Sequence, residues 1–368
     1  YIGSGGAGGV HSVAIGEQAL RGDSSSNNNS SYNIGIGSFA LKALTTGDYN
    51  VAIGGGFTMY QVTSGSSNIG IGKNAGLSLT TGSRNTLIGY QAGDGFDTET
   101  DNIAIGYDAL GSASLTGSHN LAIGNYTLDA LTTGFRNVAI GHNAGTSITE
   151  GNYNIGMGYE AMEKLTTGDN NIAIGYQALE ENITGGNNIA IGWKALDGAT
   201  ASQSNIGIGY NSLGHSSLSG GLNIAIGYGA GDNITTGENN VIIGGLDAPS
   251  ATEDNQLVIA SGVGSPTWIT GDSNGLVAHK ISVVAVTGAH TLTDAESGSY
   301  VYCTSSGAPT LPATAEVGQQ YTIINNTGSD LTPGLNSNSS IPSSHTAISD
   351  DSARTYVCVT ANTWFFVG

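Results

Sequence analysis

The chain has 368 residues, of which 59 are glycine and only 10% are charged, and its net charge is −19 from 9 basic and 28 acidic side chains. Ordinary domains carry about 7% glycine and about 25% charged residues, so this composition points to a repetitive, tightly turning β structure. The acid excess without a basic patch excludes nucleic-acid recognition and adsorption to anionic lipid, and no run of ~18 apolar residues is present to cross a membrane as a helix.

Residues 1–10 are glycine-rich and read as the end of an upstream repeat; the start at Tyr1 rather than Met suggests a fragment or a processed chain. A polar loop from Arg21 to Ser31 contains Arg21-Gly22-Asp23, an integrin-type tripeptide that so biased a loop composition produces by chance. From Val13 to Gly244 the chain repeats variants of Asn-Ile-Ala-Ile-Gly, which stands unaltered at Asn102–Gly106, Asn171–Gly175 and Asn188–Gly192. The closing glycines run from Gly16 to Gly244 and, after a first gap of 21, always follow one another by 17 or 18 residues. A fixed period of this kind marks a solenoid in which each repeat stacks on the last.

The residue before the closing glycine is Ile in thirteen of fourteen copies, and the one two before it is Val, Ile or Leu except at Thr86. In a strand these two point to one side and the residue between them to the other. That middle residue is Ala or Gly in twelve copies, with Leu87 and Ile242 as exceptions. The branched side is expected to fill a core. The small side, at Ala104, Ala139, Ala173 and Ala190, is expected to meet another copy of the chain closely. The opening asparagine appears thirteen times and is expected to stack into a hydrogen-bonded ladder. Upstream, Thr-Gly-x-x-Asn or Ser-Gly-x-x-Asn supplies a turn, with glycines such as Gly47, Gly82, Gly134 and Gly168 suiting positive φ. A second short segment, as at Ala178-Leu179, makes each repeat two short strands and two turns. Coils containing Gly56-Phe57, Gly111-Ser112 and Gly214-His215 hold one extra residue, which a loop or bulge absorbs.

This pattern resembles the head of the trimeric autotransporter adhesins, the YadA-like β-roll. With its Thr-Thr-Gly turns, as in Leu165-Thr166-Thr167-Gly168, it is also similar to repeats of phage tail-fibre proteins. The resemblance covers residues 11–244 and implies a left-handed parallel β-roll that forms homotrimers. The period of 17 is longer than that of the adhesin head, and the extra residues are expected to lengthen an outer turn.

The residue after the closing glycine is aromatic in seven copies: Tyr90, Tyr107, Tyr159, Tyr176, Trp193, Tyr210 and Tyr228. Such a column either stacks on sugars or packs over a turn or a seam between protomers. The repeated Thr-Thr pairs sit at turns and are missing from several coils, which disfavours ice binding.

The repeat decays after Gly245, and residues 246–279 read as a neck with one more strand over Gln256–Ala260 and a turn at Ser265-Pro266. Residues 280–368 read as a small all-β domain with strands over Ile281–Val286, Tyr300–Cys303, Tyr321–Ile324, Tyr356–Val359 and Trp364–Val367. Thr310-Leu311-Pro312-Ala313 followed by Val317-Gly318-Gln319-Gln320-Tyr321-Thr322-Ile323 is similar to C-terminal tip domains of phage fibres. Its loops Asn325–Ser340 and Ser343–Ala353, with Tyr302, Tyr356 and Trp364 as candidate sugar-stacking residues, make it the expected receptor-binding part. The two cysteines, Cys303 and Cys358, are expected within bonding reach of one another.

No metal-ligand spacing occurs among the seven histidines, and neither a Gly-x-Ser-x-Gly elbow nor a P-loop is present. No catalytic role, cofactor or metal is therefore expected. Paired carboxylates in a groove would mark a polysaccharide-degrading spike, whereas the acids here fall mostly in turns. The reading is an all-β, left-handed parallel β-roll solenoid of 17-residue repeats (residues 1–245), homotrimeric, with a neck (246–279) and a small all-β C-terminal tip (280–368). It implies a phage tail fibre in the virion, joined to other virion tail proteins, whose tip binds a host cell-surface glycan or protein. The alternative is the passenger of a bacterial trimeric adhesin at the cell surface.

Overall fold

In a computed structural model of the protein the described residues are 2–3, 11–22, 29–112 and 116–260. Beyond them the strand segments 267–271, 277–279, 283–286, 300–303, 310–311, 320–325, 334–335, 352–360 and 363–367 are described, together with residues 292, 309 and 348. The chain divides into two units, Tyr1–Val277 and Ala278–Gly368.

The first unit is a parallel β-solenoid. After β1 (Ile2–Gly3), each coil contributes one three-residue strand, from β2 (Val13–Ile15) through β11 (Ile172–Ile174) and β12 (Ile189–Ile191) to β15 (Val241–Ile243). Each pairs in parallel with the strand of the next coil without a register shift, so that Ile172, Ala173 and Ile174 lie against Ile189, Ala190 and Ile191. A slip by one residue would exchange the two faces of the strand, and the alternation of large and small residues forbids it. β16 (Leu257–Ala260) adds a further parallel strand, with Val241 opposite Leu257. β17 (Thr267–Gly271) then pairs antiparallel with β16, and at the other end β1 pairs antiparallel with β2 rather than adding a coil in register. At ~4.8 Å per coil the stack from β2 to β15 spans on the order of 65 Å.

The two faces of the strand are the reverse of the sequence expectation. Ala104, Ala173 and Ala190 are fully buried and Ala139 almost so, within the coil of a single chain. The isoleucines on either side of them point outward, with Ile103 38% and Ile174 37% exposed. The small residues therefore form no contact with another copy; they line the chain's own interior. The reason is volume. A coil of 17 residues leaves room beside the strand for one alanine, an Ala-Leu pair such as Ala178-Leu179, and one further side chain such as Leu165, all buried. Two isoleucines per coil would not fit there.

The exception at Leu87 follows the same rule. Where the middle strand residue is Leu87, the second leg of the coil and of the coil before carries glycine in place of leucine. A Cβ on Gly93 or Gly76 would come within 2.7 or 2.8 Å of the Leu87 methyls. Near Ile242, a Cβ on Gly231 would meet Ile234 Cδ1 and Leu213 Cδ2 first, at 3.2 and 3.3 Å, with Ile242 Cγ1 in ordinary contact at 3.5 Å. Around Leu87 interior volume is thus conserved, as close packing requires; Gly145 holds the same leg position in the coil of Ala139, where Ile148 and Leu128 fill the space instead.

The second leg is not a strand. Gln177 (φ 52°) and Leu179 (φ 57°) are left-handed on either side of Ala178, and this alternation recurs from coil to coil. Their amides point in opposite directions along the stack: Gln177 N–H donates back to Tyr159 O and Leu179 N–H forward to Ala195 O, each at 2.9 Å. Each repeat is therefore one short strand and a curled leg whose backbone is still paired. The turn glycines serve close approach rather than positive φ. A Cβ on Gly168 would sit 2.2 Å from Gly185 O, and the left-handed residue of that corner is Asn170 at φ 58°. The closing Gly175 needs both freedoms, with φ +140° and a would-be Cβ 2.3 Å from Gly192 O.

The asparagines form a ladder that runs from Ser12 to Gln256. Each asparagine's backbone N–H donates to the side-chain oxygen of the one before, as Asn188 N–H does to Asn171 Oδ1 at 3.0 Å. The Asn188 Nδ2 donates to the same oxygen at 3.1 Å and to Ser202 O at 2.9 Å. These side chains are buried, so every unmade bond would leave a polar group unsatisfied at ~1–3 kcal/mol. The asparagine rather than a hydrophobe stands here because the corner leaves backbone N–H and C=O groups that need a partner on both sides.

β18 (Val277–His279) belongs to the sheet of the first unit's strands. In the second unit, β19 (Val283–Val286), β20 (Tyr300–Cys303), β22 (Gln320–Asn325), β24 (Ser352–Thr360) and β25 (Thr363–Val367) form one mixed sheet in that order. β21 (Thr310–Leu311) and β23 (Gly334–Leu335) form a separate pair. The five strands coincide with the five apolar runs read from the sequence. The register rules out the expected closeness of the cysteines. Cys303 on β20 pairs with Asn325, which pairs with Ser352, six residues along β24 from Cys358. Two strand spacings and six residues of strand put their Cα atoms ~20 Å apart or more, far beyond the ~7 Å a bridge tolerates.

Candidate functional site

What the roll offers is its outer surface, built from the same repeat. Three columns follow the strand outward. The first is the pair of branched residues at each strand's ends, apolar in every coil except at Thr86. It makes a flat apolar face along the whole stack, with Val13, Ile15, Ile53, Ile69, Ile103, Met157, Ile174, Ile226 and Ile243 between 36% and 42% exposed. The second column precedes the ladder asparagine and borders that face. It includes stacked rings at His11, Tyr32 and Tyr49, with centroids 5.0 and 5.1 Å apart. It also holds a bidentate pair in which Arg84 Nε and a terminal nitrogen donate to Asp101 at 2.6 and 2.7 Å. The guanidinium holds the Asp101 carboxyl below its usual range. The pair is exposed and worth little in stability.

The third column follows the closing glycine on the opposite border. The seven residues singled out in the sequence all lie in it. Their rings stack along the roll: Tyr90 on Tyr107 at 5.2 Å, Tyr159 on Tyr176 at 5.3 Å, Tyr176 on Trp193 at 6.0 Å, Trp193 on Tyr210 at 4.5 Å and Tyr210 on Tyr228 at 4.7 Å. The gap between Tyr107 and Tyr159 is closed by two rings that the sequence reading left out. Tyr126 meets Tyr107 edge-on, and His142 stacks on Tyr159 at 5.5 Å. His142 stands at the same repeat position as the seven, while Tyr126 is displaced by one because Asn125 follows the closing Gly124. From Tyr159 to Tyr210, with near-parallel rings on both sides, the members present edges rather than faces. A sugar could stack on those rings only by parting the column.

Behind the aromatic column runs a row of acids at the fifth residue after the closing glycine, including Asp94, Asp129, Glu163, Glu180, Asp197 and Asp232. Glu160, Glu163 and Glu180 each bring a carboxylate oxygen within 4.8 Å of the others, and this is the one group among the described residues with cation-ligand spacing. Partial burial, then the Asp197 and Glu163 charges, push Glu180 up to about 7. Burial and Glu160 also raise Glu163. Neighbouring cations are engaged elsewhere: Lys194 Nζ donates to Asp197 Oδ2 at 3.1 Å and Lys164 to Glu181.

A comparison with protein-family models, with curated proteins and with solved structures finds no match to this chain.

The acid row has a consequence for stability. Glu180 is raised in the folded chain, so protonation favours folding. Its contribution is fully present below the ordinary carboxylate value near 4.5 and is lost as pH rises through about 7. Thermal melting followed from pH 4.5 to 8 is expected to show the wild type losing stability over this window relative to Glu180→Gln. The variant melts higher at pH 8; superimposable profiles would remove the assignment.

Among the candidate tip residues, Tyr302 lies on β20, Tyr356 on β24 and Trp364 on β25, where Trp364 is the register partner of Cys358 and Tyr356 that of both Tyr321 and Phe366. The side chains of Tyr302, Tyr356 and Trp364 lie outside the described residues, as do most of the two loops expected to carry recognition and residue Asp23 of the Arg-Gly-Asp tripeptide.

Proposed function

We propose that the protein is a homotrimeric, left-handed β-roll shaft that holds a host-binding tip, in the manner of a phage tail fibre. The observation that carries this reading is the outward apolar face. Twenty-seven of its twenty-eight positions are Val, Ile, Leu or Met. Half-exposed along the stack, they leave an area on the order of 1,500 Å², against a few hundred Å² for the largest apolar patch of an ordinary monomer. A standard interface needs only ~800 Å² from each partner. The face repeats with the coil, so its natural partner is a surface of the same pitch, a further copy of the chain in register. Borders of tyrosine, tryptophan and charged pairs give it the apolar centre and polar rim of a protein interface.

A periodic shaft presents nearly the same surface many times, which suits a spacer, whereas residues 280–368 break the period and carry the recognition role in this reading. Three tips on one shaft raise avidity for a repeated surface glycan by ~10²-fold or more. The test applies fluorescent full-length chain and a chain ending at Val277, both shown to be trimeric, to a panel of bacterial strains. Full-length protein is expected to label a subset of strains and the shorter chain none. Equal labelling by both would move recognition to the roll.

A further inference from the structure

The aromatic column ends in an open step at Tyr228. At its other end the last ring, Tyr90, is covered by the Lys73 ammonium, 5.7 Å from the ring centroid. At Tyr228 the inner face is taken by Tyr210 at 4.7 Å with the rings only 4° from parallel. The next position of the column, after the closing Gly244, is Gly245, which has no side chain to supply the next ring. Tyr228 is accordingly 66% exposed, where the tyrosines and the tryptophan before it in the column range from 38% to 44%.

The step is a cleft of about 210 Å³ lined by Tyr228, Gly229, Asp232, Gly245, Leu246 and Asp247. Its lining thus combines an aromatic ring, two glycines, one leucine and two carboxyl groups. Asp232 Oδ2 accepts a hydrogen bond from Asn211 Nδ2 at 3.2 Å, which fixes that carboxyl beside the ring. Partial burial and the neighbouring Asp232 carboxyl push Asp247 up to about 6.

We infer that this step binds one neutral pyranose unit of a saccharide, with a C–H face of the sugar on the open face of Tyr228 and its hydroxyls donating to Asp232 and Asp247. Three points select that ligand. A flat aromatic face favours a guest with a flat apolar side and a thickness of one rung, which a pyranose has. The lining offers hydrogen-bond acceptors, so the guest must bring donors around its edge, and a purely aromatic guest would leave the carboxyls unsatisfied. Two acids in a chain of net charge −19 repel a uronate or a sulfated sugar. Within the stacked run from Tyr159 to Tyr210 each ring has a near-parallel neighbour on both sides, so no such step opens inside that run. The site lies on the roll and does not depend on what the tip binds.

A site with one stacking face and two or three hydrogen bonds holds a single sugar ring with a dissociation constant on the order of millimolar. The test is saturation-transfer NMR of the full-length protein with the methyl glycosides of glucose, galactose, mannose and N-acetylglucosamine, and with glucuronate as the anionic control. At least one neutral glycoside is expected to receive saturation through its ring protons, and glucuronate none. Tyr228→Ala is expected to weaken binding at least tenfold and Asp247→Asn severalfold, while Tyr159→Ala, inside the column, leaves it unchanged. Circular dichroism checks that each variant keeps the roll. Absence of transfer to all four glycosides at 10-fold above a millimolar constant, or equal loss in Tyr159→Ala and Tyr228→Ala, overturns the proposal, as does undiminished binding by a folded Tyr228→Ala.

Discussion

A chain carrying Ala173→Glu and Ala190→Glu is expected to lose the folded roll outright, rather than to separate into folded single copies. Both alanines are fully buried inside the coil and lie opposite one another in the register of β11 and β12. A carboxylate there has neither water nor a cation, so it must either be protonated or break the coil open. The cost of an uncompensated buried charge is ~3–5 kcal/mol or more for each site, before the added volume is counted. Limited proteolysis and hydrogen exchange should show loss of protection centred on residues 154–209 and spreading along the stack, since each coil is supported only by its neighbours. A folded, monodisperse single copy from this variant would restore the idea that the alanines contact a second chain. A gentler pair of variants checks the same packing. Ala173→Leu alone overpacks the coil, at ~1–3 kcal/mol. Adding Met162→Gly and Leu179→Gly recreates the arrangement around Leu87, Gly76 and Gly93 and is expected to recover part of that loss.

The solenoid itself was legible because its signal is arithmetic: closing glycines at 17 or 18, a period-two strand and an asparagine at a fixed offset admit one stacked architecture. The register of every strand followed from that spacing. The direction of the faces was misread because size was taken as the mark of the interior, which holds for ordinary sheets but not for so narrow a coil. The correction was nonetheless present in the chain. Leu87 is one of the two large residues at the middle strand position, and it stands beside Gly76 and Gly93 where most coils have leucine or methionine. That compensation makes sense only if the middle position faces inward. The curled second leg was out of reach, since left-handed φ at Gln177 and Leu179 has no residue signature; neither is a glycine or an asparagine. Of the aromatic column the sequence showed the members but not their mutual stacking, and it is the stacking that removes their faces from use. His142 was overlooked because it is not counted with the aromatics, although it occupies the same slot. In the second unit, short apolar runs sufficed to locate five strands but not their order, and the order is what separates Cys303 from Cys358.

Replacing Ile172, Ile174, Ile189 and Ile191 together with glutamate is expected to leave the roll folded and abolish its assembly. These four side chains occupy two successive coils of the outward face, and none of them contributes to the buried interior. Charge placed on them meets water in a single chain, so the folded unit tolerates it; in a trimer it would be driven into an apolar contact. Each isoleucine that stays exposed forgoes ~1.5 kcal/mol of burial, from roughly 60 Å² at 25 cal/mol/Å². The four carboxylates of each copy would also face those of its neighbours in a chain that is already strongly acidic. Light scattering coupled to size exclusion is expected to return three copies of the 37.0 kDa chain for the wild type and one for the variant. The circular dichroism of the two should match. The same positions replaced by threonine, the residue that stands at Thr86 within this face, should fall between them and dissociate on dilution. A wild type that runs as a single copy at micromolar concentration sinks the trimer, and a glutamate variant that still assembles places the contact on some other surface of the roll or in residues 278–368. The contrast with the alanine variants is what makes the pair decisive. The expected result is that altering one face of the strand destroys the fold and altering the other, one residue away, destroys only the proposed association.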